Sequence, residues 1–329
     1  MNALDLINRK NLWSAAAALV MVTQSVSAQQ PAYPVKPIRM IASQSPGGGI
    51  DTVARIVATR LGDVLGQNVM VDNRAGANGS LAGELTAKSP PDGYTIMLGA
   101  VGNLGVNEFF IKNMTYDPIQ DLAPVTSAVA SGSVLVIHPS LPAKSVRDLI
   151  ALARTRPGQL AYGSSGVGGS GHLAAGLLQS MTKIKLLHVP YKGSGPAIVN
   201  LIAGEVQISF ASPASTAASI DVGRLRALAV STANRLKTMP QLPTISEAGV
   251  PGYESQSWYG FVVAAKTPQS IVARLNREIV QILNRSDVKE LLRIQGEVWT
   301  GTPEAFGAYI KSEHDKWGRI IKEMGITAN

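Results

Sequence analysis

The chain has 329 residues, of which 45% are hydrophobic and 16% charged, so it is globular and long enough for two domains. The formal charge is +8, but lysine and arginine are scattered and aromatic residues are few, which argues against a nucleic-acid partner. The chain has no cysteine, which excludes disulfides, thiolate metal sites and cysteine nucleophiles.

The first 28 residues have the parts of an export signal. Arg9 and Lys10 form a basic start, residues 12–22 are apolar and rich in alanine, and small residues lead up to Ala28. The apolar segment is too short to span a bilayer comfortably, although it could instead be a buried first helix. We therefore expect residues 1–28 to be a signal peptide that is cleaved after Ala28.

A first glycine turn, Pro46-Gly47-Gly48-Gly49-Ile50-Asp51, separates a predicted strand at Ile38–Ala42 from an amphipathic helix. The apolar face of that helix is expected to carry Val53, Ala54, Val57, Leu61, Val64 and Leu65. The first amides of a helix lack intrahelical partners and carry partial positive charge, so a bare turn at that point can bind an anion. The alternative is a tight turn that only packs the helix onto the strand.

A second glycine turn repeats this pattern at residues 163–171, between a strand that ends at Tyr162 and a helix over residues 173–181. Two strand–glycine–helix corners can face each other across a cleft and hold one small anion. Ser164 and Ser165 are candidate hydrogen-bond donors to that anion. Neither serine has glycine at both −2 and +2, so neither fits the nucleophile elbow of a hydrolase.

Strand and helix patterns alternate through the rest of the chain, which predicts mainly parallel sheets in an α/β fold. Further strands are predicted at residues 67–71, 94–98, 186–189, 206–210 and 225–231, and helices at 81–88, up to 154, and 197–203. Residues 99–103 are predicted to be a loop. Ser145 with Asp148 resembles a capping box, and Thr267-Pro268 and Thr302-Pro303 each predict an N-cap followed by a first-turn proline.

The longest β-like segment, residues 122–137, is interrupted near Gly132 and is expected to lead from the first domain into the second. Residues 257–263 are expected to return to the first domain. We therefore predict a first domain of residues 29–128 and 251–329 and a second of 129–250, with two crossings that form a hinge beside a ligand cleft. Trp258 and Tyr259 would pack in the returning strand, or stack on an aromatic acid at the cleft rim.

Seven short motifs occur in a fixed order along the chain. They are Tyr33-Pro34-Val35-Lys36-Pro37-Ile38, Pro46-Gly47-Gly48-Gly49-Ile50-Asp51, Asn73-Arg74-Ala75-Gly76-Ala77, Pro91-Asp92-Gly93-Tyr94-Thr95, Tyr162-Gly163-Ser164-Ser165-Gly166, His188-Val189-Pro190-Tyr191-Lys192-Gly193 and Glu247-Ala248-Gly249-Val250-Pro251-Gly252-Tyr253. From residue 33 to the C-terminus the chain resembles the solute-binding proteins of tripartite tricarboxylate transporters, the Bug-type periplasmic receptors. The resemblance implies a two-domain, type II-like periplasmic binding protein fold that closes on a carboxylate.

The resemblance also implies a periplasmic receptor without enzymatic activity, cofactor or metal, which binds a small organic acid and delivers it to a two-component membrane permease. We expect a monomer. The carboxylate would lie near the first glycine loop, with further contacts from three other loops. The predicted ligand-binding residues are Pro46, Gly47, Gly48, Gly49, Asp51, Gly76, Ala77, Asn78, Ala100, Gly102, Asn103, Ser164, Ser165, Gly166, Gly168, Gly169, His172, Tyr191 and Lys192.

Three of these residues have open alternatives. Asp51 can cap its helix rather than face a ligand ammonium, and His172 can be structural. Lys192, which follows Tyr191 on a loop, can be a solvated lysine rather than a positive charge in the cleft. His138, His172, His188 and His314 show no metal-ligand spacing.

Two other functions stay open at this point. A sensor that reports the ligand-bound state to a membrane signalling partner would have the same sequence features. A nucleotide-dependent enzyme is disfavoured because the first glycine loop is not G-x-G-x-x-G and has no P-loop lysine. Dicarboxylates, tricarboxylates, acidic amino acids and aromatic acids are all open as the ligand.

The predicted export signal has a direct test. Protein recovered from the periplasm should have the intact mass of a chain that begins at Gln29, because signal peptidase cuts after small residues such as those that end at Ala28. Mass spectrometry of the same protein from whole cells without export serves as the control. A periplasmic mass that still includes residues 1–28 would contradict the prediction.

Overall fold

The computed structural model describes residues 33–191 and 193–323. The predicted signal peptide with its cleavage site, and Lys192, lie outside the described residues. Within those residues no helix has the length and apolar character needed to cross a membrane.

Strands and α-helices alternate along the described chain. The strands are β1 (Ile38–Ala42), β2 (Val69–Asn73), β3 (Thr95–Ala100), β4 (Leu122–Gly132), β5 (Val134–Ile137), β6 (Ala161–Ser164), β7 (Leu187–Pro190), β8 (Ile208–Ala211), β9 (Arg226–Val230), β10 (Gln256–Ala264) and β11 (Glu297–Val298). The α-helices are α1 (Gly49–Leu65), α2 (Ser80–Ala87), α3 (Val146–Thr155), α4 (Ser170–Thr182), α5 (Ser194–Ala203), α6 (Pro213–Asp221), α7 (Gln269–Asn284), α8 (Ser286–Leu292) and α9 (Pro303–Glu323).

These strands form two mixed sheets. The first has the order β11-β4-β10-β3-β1-β2, and the second has the order β7-β6-β8-β5-β9. In the first sheet β1 is parallel to β2 and β3, as expected for strands joined by helical crossovers, whereas β10 is antiparallel to β3 and β4. The predicted return of the later chain to the first sheet is therefore confirmed.

The two sheets take their strands from separate parts of the chain. Residues 38–132 and 256–298 supply the first sheet, and residues 134–230 supply the second. The predicted passage from one half to the other near Gly132 is thus confirmed, because one residue, Ser133, separates β4 from β5. The exact domain limits at residues 128 and 250 stay a prediction.

Both passages between the sheets meet at one buried serine. The Ser231 hydroxyl accepts from the Ser133 amide at 2.8 Å and donates to the Ser255 carbonyl at 2.7 Å. The Ser231 amide donates to the Ser133 carbonyl, and the Ser255 amide donates to the Ser231 carbonyl, both at 2.8 Å. All three serines are buried, so each bond satisfies a group that would otherwise be costly to bury. These bonds fasten the outgoing chain to the returning chain.

Most predicted elements are present with small shifts at their ends. β1 has the predicted bounds, and Ser145 caps α3 by accepting from the Asp148 amide at 3.1 Å. The Thr302 hydroxyl accepts from the Ala305 amide at 3.2 Å, which confirms the cap before α9. Helices α6 and α8 were not predicted, and part of the predicted loop at residues 99–103 is instead the end of β3 and the start of a π-helical turn, Gly102–Val106.

Two local predictions are wrong. Val64 is 52% exposed, although the other five residues of the predicted apolar face of α1 are buried. The helical period predicts which face of the helix a residue occupies, but not whether another element covers it. Val64 lies in the last turn before the helix ends. Thr267 does not cap α7, because Pro268 keeps an extended ψ of 136° and is itself the residue before the helix, while the Thr267 hydroxyl donates to the Ala264 carbonyl.

Helix α9 packs on β10 through a glycine. A Cβ on Gly260 would overlap the Phe306 ring, so the absence of a side chain lets the helix approach the strand. The buried Glu313 adds to this contact, because its carboxylate accepts from Nε1 of Trp317 at 2.9 Å and lies 3.4 Å from Nε1 of Trp258. The chain that carries Tyr259 toward the first glycine turn is held in place by this packing.

We expect Gly260→Ala to lower the free energy of unfolding by about 1–3 kcal/mol, because the added methyl overpacks the contact with Phe306. The matched control is Gly195→Ala, which adds the same methyl to an exposed glycine with no heavy atom within 4 Å. Urea unfolding of both variants and the parent measures the difference. Equal midpoints for all three proteins would contradict this account of the packing.

Candidate functional site

The first glycine turn leads directly into α1. Gly48 is its N-cap residue, and the Thr52 amide donates to the Gly48 carbonyl at 3.0 Å. The Gly47 amide donates to Oδ2 of Asp51 at 2.9 Å, and the Gly48 amide lies 3.4 Å from the Ser45 carbonyl. The amides with no intrahelical acceptor are therefore those of the first helical turn, residues 49–51.

The Asp51 carboxylate makes further contacts at this turn. It also accepts from Nδ2 of Asn73 at 2.9 Å and pairs with Arg55 at 3.0 Å. Burial works to raise the pKa of Asp51, but the hydrogen bonds from Arg55, the Gly47 amide and Asn73 outweigh it and hold the pKa below its usual value. The carboxylate is thus ionised and held by these contacts. Its amide partner, Gly47, precedes the N-cap residue Gly48, so Asp51 does not cap the first-turn amides of α1.

The loop at residues 76–79 has an unusual backbone. The φ angles of Gly76, Ala77, Asn78 and Gly79 are 134°, 45°, 52° and 85°, which places four consecutive residues in the positive region. Alanine rarely adopts this conformation, and such strain persists only where the surroundings enforce it. Asn107 supplies that support, since its Nδ2 donates to the Asn78 carbonyl at 3.1 Å and its Oδ1 accepts from Nδ2 of Asn78 at 2.9 Å.

The third predicted loop is tied to this one by Asn103. Its buried side chain accepts from the Ala100 amide at 2.8 Å and donates to the Gly79 carbonyl at 3.3 Å. A Cβ on Gly102 would overlap the side-chain amide of Asn78. Asn103 and Gly102 are therefore placed to shape the loop at residues 76–79.

The second glycine turn uses several of its own amides internally. The Gly166 amide donates to Oγ of Ser164 at 3.2 Å, the Gly169 amide to the Gly166 carbonyl at 3.3 Å, and the Gly168 amide to Nδ1 of His172 at 3.0 Å. α4 follows with Gly169 as its N-cap residue. As in the first turn, the amides with no intrahelical acceptor are those of the first helical residues, here 170–172.

Two histidines lie behind this turn. The rings of His172 and His188 stack with centroids 4.1 Å apart, and Nε2 of His188 lies 2.7 Å from Oγ of Ser164. Burial, and then the neighbouring His188, lower the pKa of His172 to about 3, and burial lowers the pKa of His188 to about 4. Both rings are therefore neutral at pH 7.

His188 was not predicted as a site residue. The register of β6 with β7 pairs it with Tyr162, whose ring stacks on it at 4.8 Å, and so brings it beside the turn that follows β6. The motif that contains His188 marks the segment, but this pairing depends on sheet register. Tyr259 and Gln295 were also missed as neighbours of the first turn: a Cβ on Gly49 would lie 2.8 Å from the Tyr259 hydroxyl and 2.7 Å from Oε1 of Gln295.

The predicted residues differ in exposure. The exposed ones are Pro46, Gly47, Gly76, Ala77, Asn78 and Ser165. The half-buried ones are Gly48, Gly49, Ala100, Gly166, Gly169 and Tyr191, and the buried ones are Asp51, Gly102, Asn103, Ser164, Gly168 and His172.

Residues from the two halves of the chain meet at Gly168. A Cβ on this glycine would lie 3.0 Å from Nδ2 of Asn78 and 3.1 Å from Cδ2 of Phe110, both from the half that forms the first sheet. Tyr191 joins the same turn, because its amide donates to the Ser164 carbonyl at 3.0 Å. The structure thus brings three of the predicted loops together, while the contacts of the first glycine turn are with Asn73, Tyr259 and Gln295.

A cavity of about 350 Å³ lies elsewhere and shares no residue with the predicted site. It is lined by Arg147, Ile150, Ala151, Arg154, Met181, Thr182, Gly249, Val250 and Pro251. Its two arginines make it a competing location for an anion. In residues 33–191 and 193–323, no cluster of three or more His, Cys, Asp or Glu side chains could hold a metal ion.

A family model and several known proteins are similar to this chain over most of its length. The family model described as "Tripartite tricarboxylate transporter family receptor" matches residues 53–326. Protein BugT of Bordetella pertussis is 36% identical over 295 residues, which are 89% of this chain and 90% of BugT. R. palustris Rpa4515 with adipate has a TM-score of 0.81 and 36% identity, covering 90% of this chain and all of that one. MatC (Rpa3494) from Rhodopseudomonas palustris with bound malate has a TM-score of 0.76 and 26% identity, covering 88% and 100%.

We expect the stability of the fold to depend on pH, because His172 and His188 are neutral in the folded chain. Their pKa values lie below that of an unfolded histidine, about 6.5, so below pH 6.5 the unfolded chain binds protons that the folded chain does not. Stability should therefore fall as the pH drops from about 6.5 toward 4, by up to about 1.4 kcal/mol per pH unit for each histidine. Urea unfolding at several pH values measures this slope.

The control for this slope is His172→Asn, which removes the titrating ring and keeps a hydrogen-bond acceptor. Subtracting its slope from that of the parent isolates His172 from carboxylates elsewhere in the chain. Tyr162, which packs on the same pair, does not titrate in this range because burial raises its pKa. Identical slopes for the two proteins would contradict the assignment.

Proposed function

We propose that this chain, which belongs to the tripartite tricarboxylate transporter receptor family, binds a small dicarboxylate between its two glycine turns and delivers it to a two-component permease. The family consists of Bug-type receptors, so the chain is a solute-binding receptor and not an enzyme. Its fold is the predicted two-domain α/β fold of periplasmic binding proteins. The dicarboxylate, the permease and the periplasmic location of this chain are parts of the proposal.

The observation that carries the proposal is the pair of helix N-termini. α1, with 17 residues, and α4, with 13, each begin directly after a glycine turn. Their first-turn amides at residues 49–51 and 170–172 carry the positive end of a helix dipole and have no intrahelical acceptor. Such an end binds carboxylates and phosphates without a formal cation. Two of them suit a ligand with two carboxylates.

The electrostatic setting is compatible with this ligand. The charge of Asp51 is balanced by Arg55, and the histidines behind the second turn are neutral. Burial raises the pKa of Tyr259, so its hydroxyl keeps the proton that it would donate to a carboxylate beside Gly49. A net positive chain also attracts anions over a longer range.

The relatives support the ligand class. Adipate and malate, named with two of the similar structures, are both dicarboxylates. They differ in length and in the hydroxyl group of malate, so two carboxylates are the feature that they share. We therefore assign a dicarboxylate to this chain and leave the length of its carbon skeleton to experiment.

A thermal-shift series tests the ligand class. Adipate, hexanoate and 1,6-hexanediol have six carbons each and carry two, one and no carboxylates, and malate adds a shorter dicarboxylate. A ligand at 100 times its Kd should stabilise the fold by about 2.7 kcal/mol, and we expect a dicarboxylate to do so while the diol does not. A series in which no organic acid stabilises the protein would refute the proposed function.

A substitution in the first turn tests the location. Gly48 has an ordinary φ of −79°, so Gly48→Val is compatible with the backbone, and its new Cβ would contact the flexible Gln44 side chain at 3.1 Å. We expect this side chain to obstruct the ligand and to weaken dicarboxylate binding, measured by calorimetry, at least about tenfold, the effect of losing about 1.4 kcal/mol. Circular dichroism monitors folding, and Gly195→Ala is the control.

Substitutions in the cavity that contains Arg147 and Arg154 test the alternative location of the ligand. If Arg147→Ala or Arg154→Ala abolishes binding while folded Gly48→Val binds like the parent, the ligand occupies that cavity and not the glycine turns. Gly166→Val is a less clear test, because Gly166 has a φ of 135° and any side chain there strains the turn itself. For that reason the first turn is the better place for the substitution.

A further inference from the structure

The hydrogen-bond partner of His172 determines its tautomer. Nδ1 of His172 accepts from the Gly168 amide at 3.0 Å, so Nδ1 carries no proton, and a neutral ring must then carry its proton on Nε2. The residue is 3% exposed and lies in the first turn of α4, four positions after the glycine whose amide it accepts. A side chain in the helix thus fixes the backbone of the turn that precedes it.

His188 holds the other end of the same turn. Its Nε2 lies 2.7 Å from Oγ of Ser164, which also accepts from the Gly166 amide and lies 3.1 Å from the Gly166 carbonyl. The serine has one proton. When that proton is donated to the Gly166 carbonyl, the Nε2 of His188 is the donor to Ser164. One hydroxyl then bonds both polar groups of Gly166, whose carbonyl also accepts from the Gly169 amide.

The two rings belong to an aromatic cluster in which His172, His188 and Tyr162 are stacked and Phe110 is tilted by 52° against His172. Phe110 lies 5.5 Å from His172, His172 lies 4.1 Å from His188 with an angle of 8° between the planes, and His188 lies 4.8 Å from Tyr162. Phe110 comes from the half that forms the first sheet, and the other three rings come from the second. Neither histidine can turn to another partner without breaking this stack.

We propose that His172 and His188 are positioning residues, which hold the second glycine turn in the shape that receives a carboxylate. His172 fixes Gly168, and His188 fixes Ser164 and through it Gly166. The inference rests on the proposed function, which holds that this turn receives a carboxylate. It changes the expected role of His172 from contact with the ligand to support of the turn. Because both rings are neutral, they support an anion site without adding a charge that would dominate it.

Hydrogen exchange of the Gly168 amide tests the positioning without any ligand. His172→Leu keeps an apolar side chain of similar size and removes the acceptor, whereas His172→Asn keeps an acceptor near the position of Nδ1. We expect the Gly168 amide to exchange about tenfold faster in the leucine variant, as for the loss of one buried hydrogen bond, and to return close to the parent rate in the asparagine variant. Equal exchange in the parent and the leucine variant overturns the proposal.

The parent protein offers a test that does not depend on the folding of a variant. The ¹⁵N spectrum of the histidine side chains should show His172 with its proton on Nε2. A proton on Nδ1 would be incompatible with acceptance from Gly168 and would overturn the proposal. This measurement decides the case if His172→Leu does not fold.

Binding of adipate and malate then separates this inference from the proposed function. Where the parent binds one of them, His172→Leu and His188→Leu should weaken binding about tenfold, while His172→Asn and His188→Gln should bind nearly as well as the parent. Equal losses in the conservative and the leucine variants would mean that the rings do something other than position the turn, and would overturn the proposal. If the parent binds no acid, the proposed function fails, and the exchange rate and tautomer still decide whether the histidines position the turn.

Discussion

Four hydrogen bonds around Ser231 join the two halves of this protein at the points where the chain passes between them. The chain leaves the first sheet at Ser133 and returns to it at Ser255, and both points are bonded to the same buried residue. The pairing of β4 with β10 continues up to that point, where Gln256 lies opposite Gly132. The loops that follow the strands of both sheets are placed relative to this joint, including the loops that meet at Gly168.

The glycine turns have a different role from the one that their sequence first indicates. The amides of Gly47, Gly166 and Gly168 are engaged with Asp51, Ser164 and His172, so these glycines supply backbone conformation and space. Gly47, Gly166 and Gly168 have φ angles of 81°, 135° and 75°, which other residues rarely adopt. The backbone amides that remain for an anion lie two to four residues after Gly47 and Gly168, in the first turn of each helix. Polar side chains thus shape the turns, and helix ends supply the positive potential.

Much of the fold could be predicted because its signals are local. The apolar strand before the first turn, the capping serine of α3 and the interruption of the long strand near Gly132 each depend on neighbouring residues, and all are present. Val64 shows the limit of such reasoning, because its burial depends on what covers the last turn of α1. Thr267 shows another, because the extended backbone of Pro268 starts the helix later than the motif indicates.

The candidate site was harder to predict for the same reason. The glycine turns and the loop at residues 76–79 are recognisable motifs, but their mutual contacts depend on sheet register and on the joint at Ser231. His188 reaches Ser164 only through the pairing of β6 with β7, and Tyr259 reaches Gly49 only through the return of β10. No local pattern contains either contact. The sequence therefore identifies the turns and loops of this site, but not the residues that contact them.

The pairing of Asp51 with Arg55 constrains how this sequence can diverge. Asp51 occupies the positive end of α1, where an unbalanced carboxylate would repel any other anion, and Arg55 one turn later cancels its charge. Replacing Arg55 alone would leave a negative charge at the helix end, and replacing Asp51 alone would leave the Gly47 amide without its acceptor. We therefore expect substitutions at these two positions to be coupled, so that a receptor with a different residue at one of them also differs at the other.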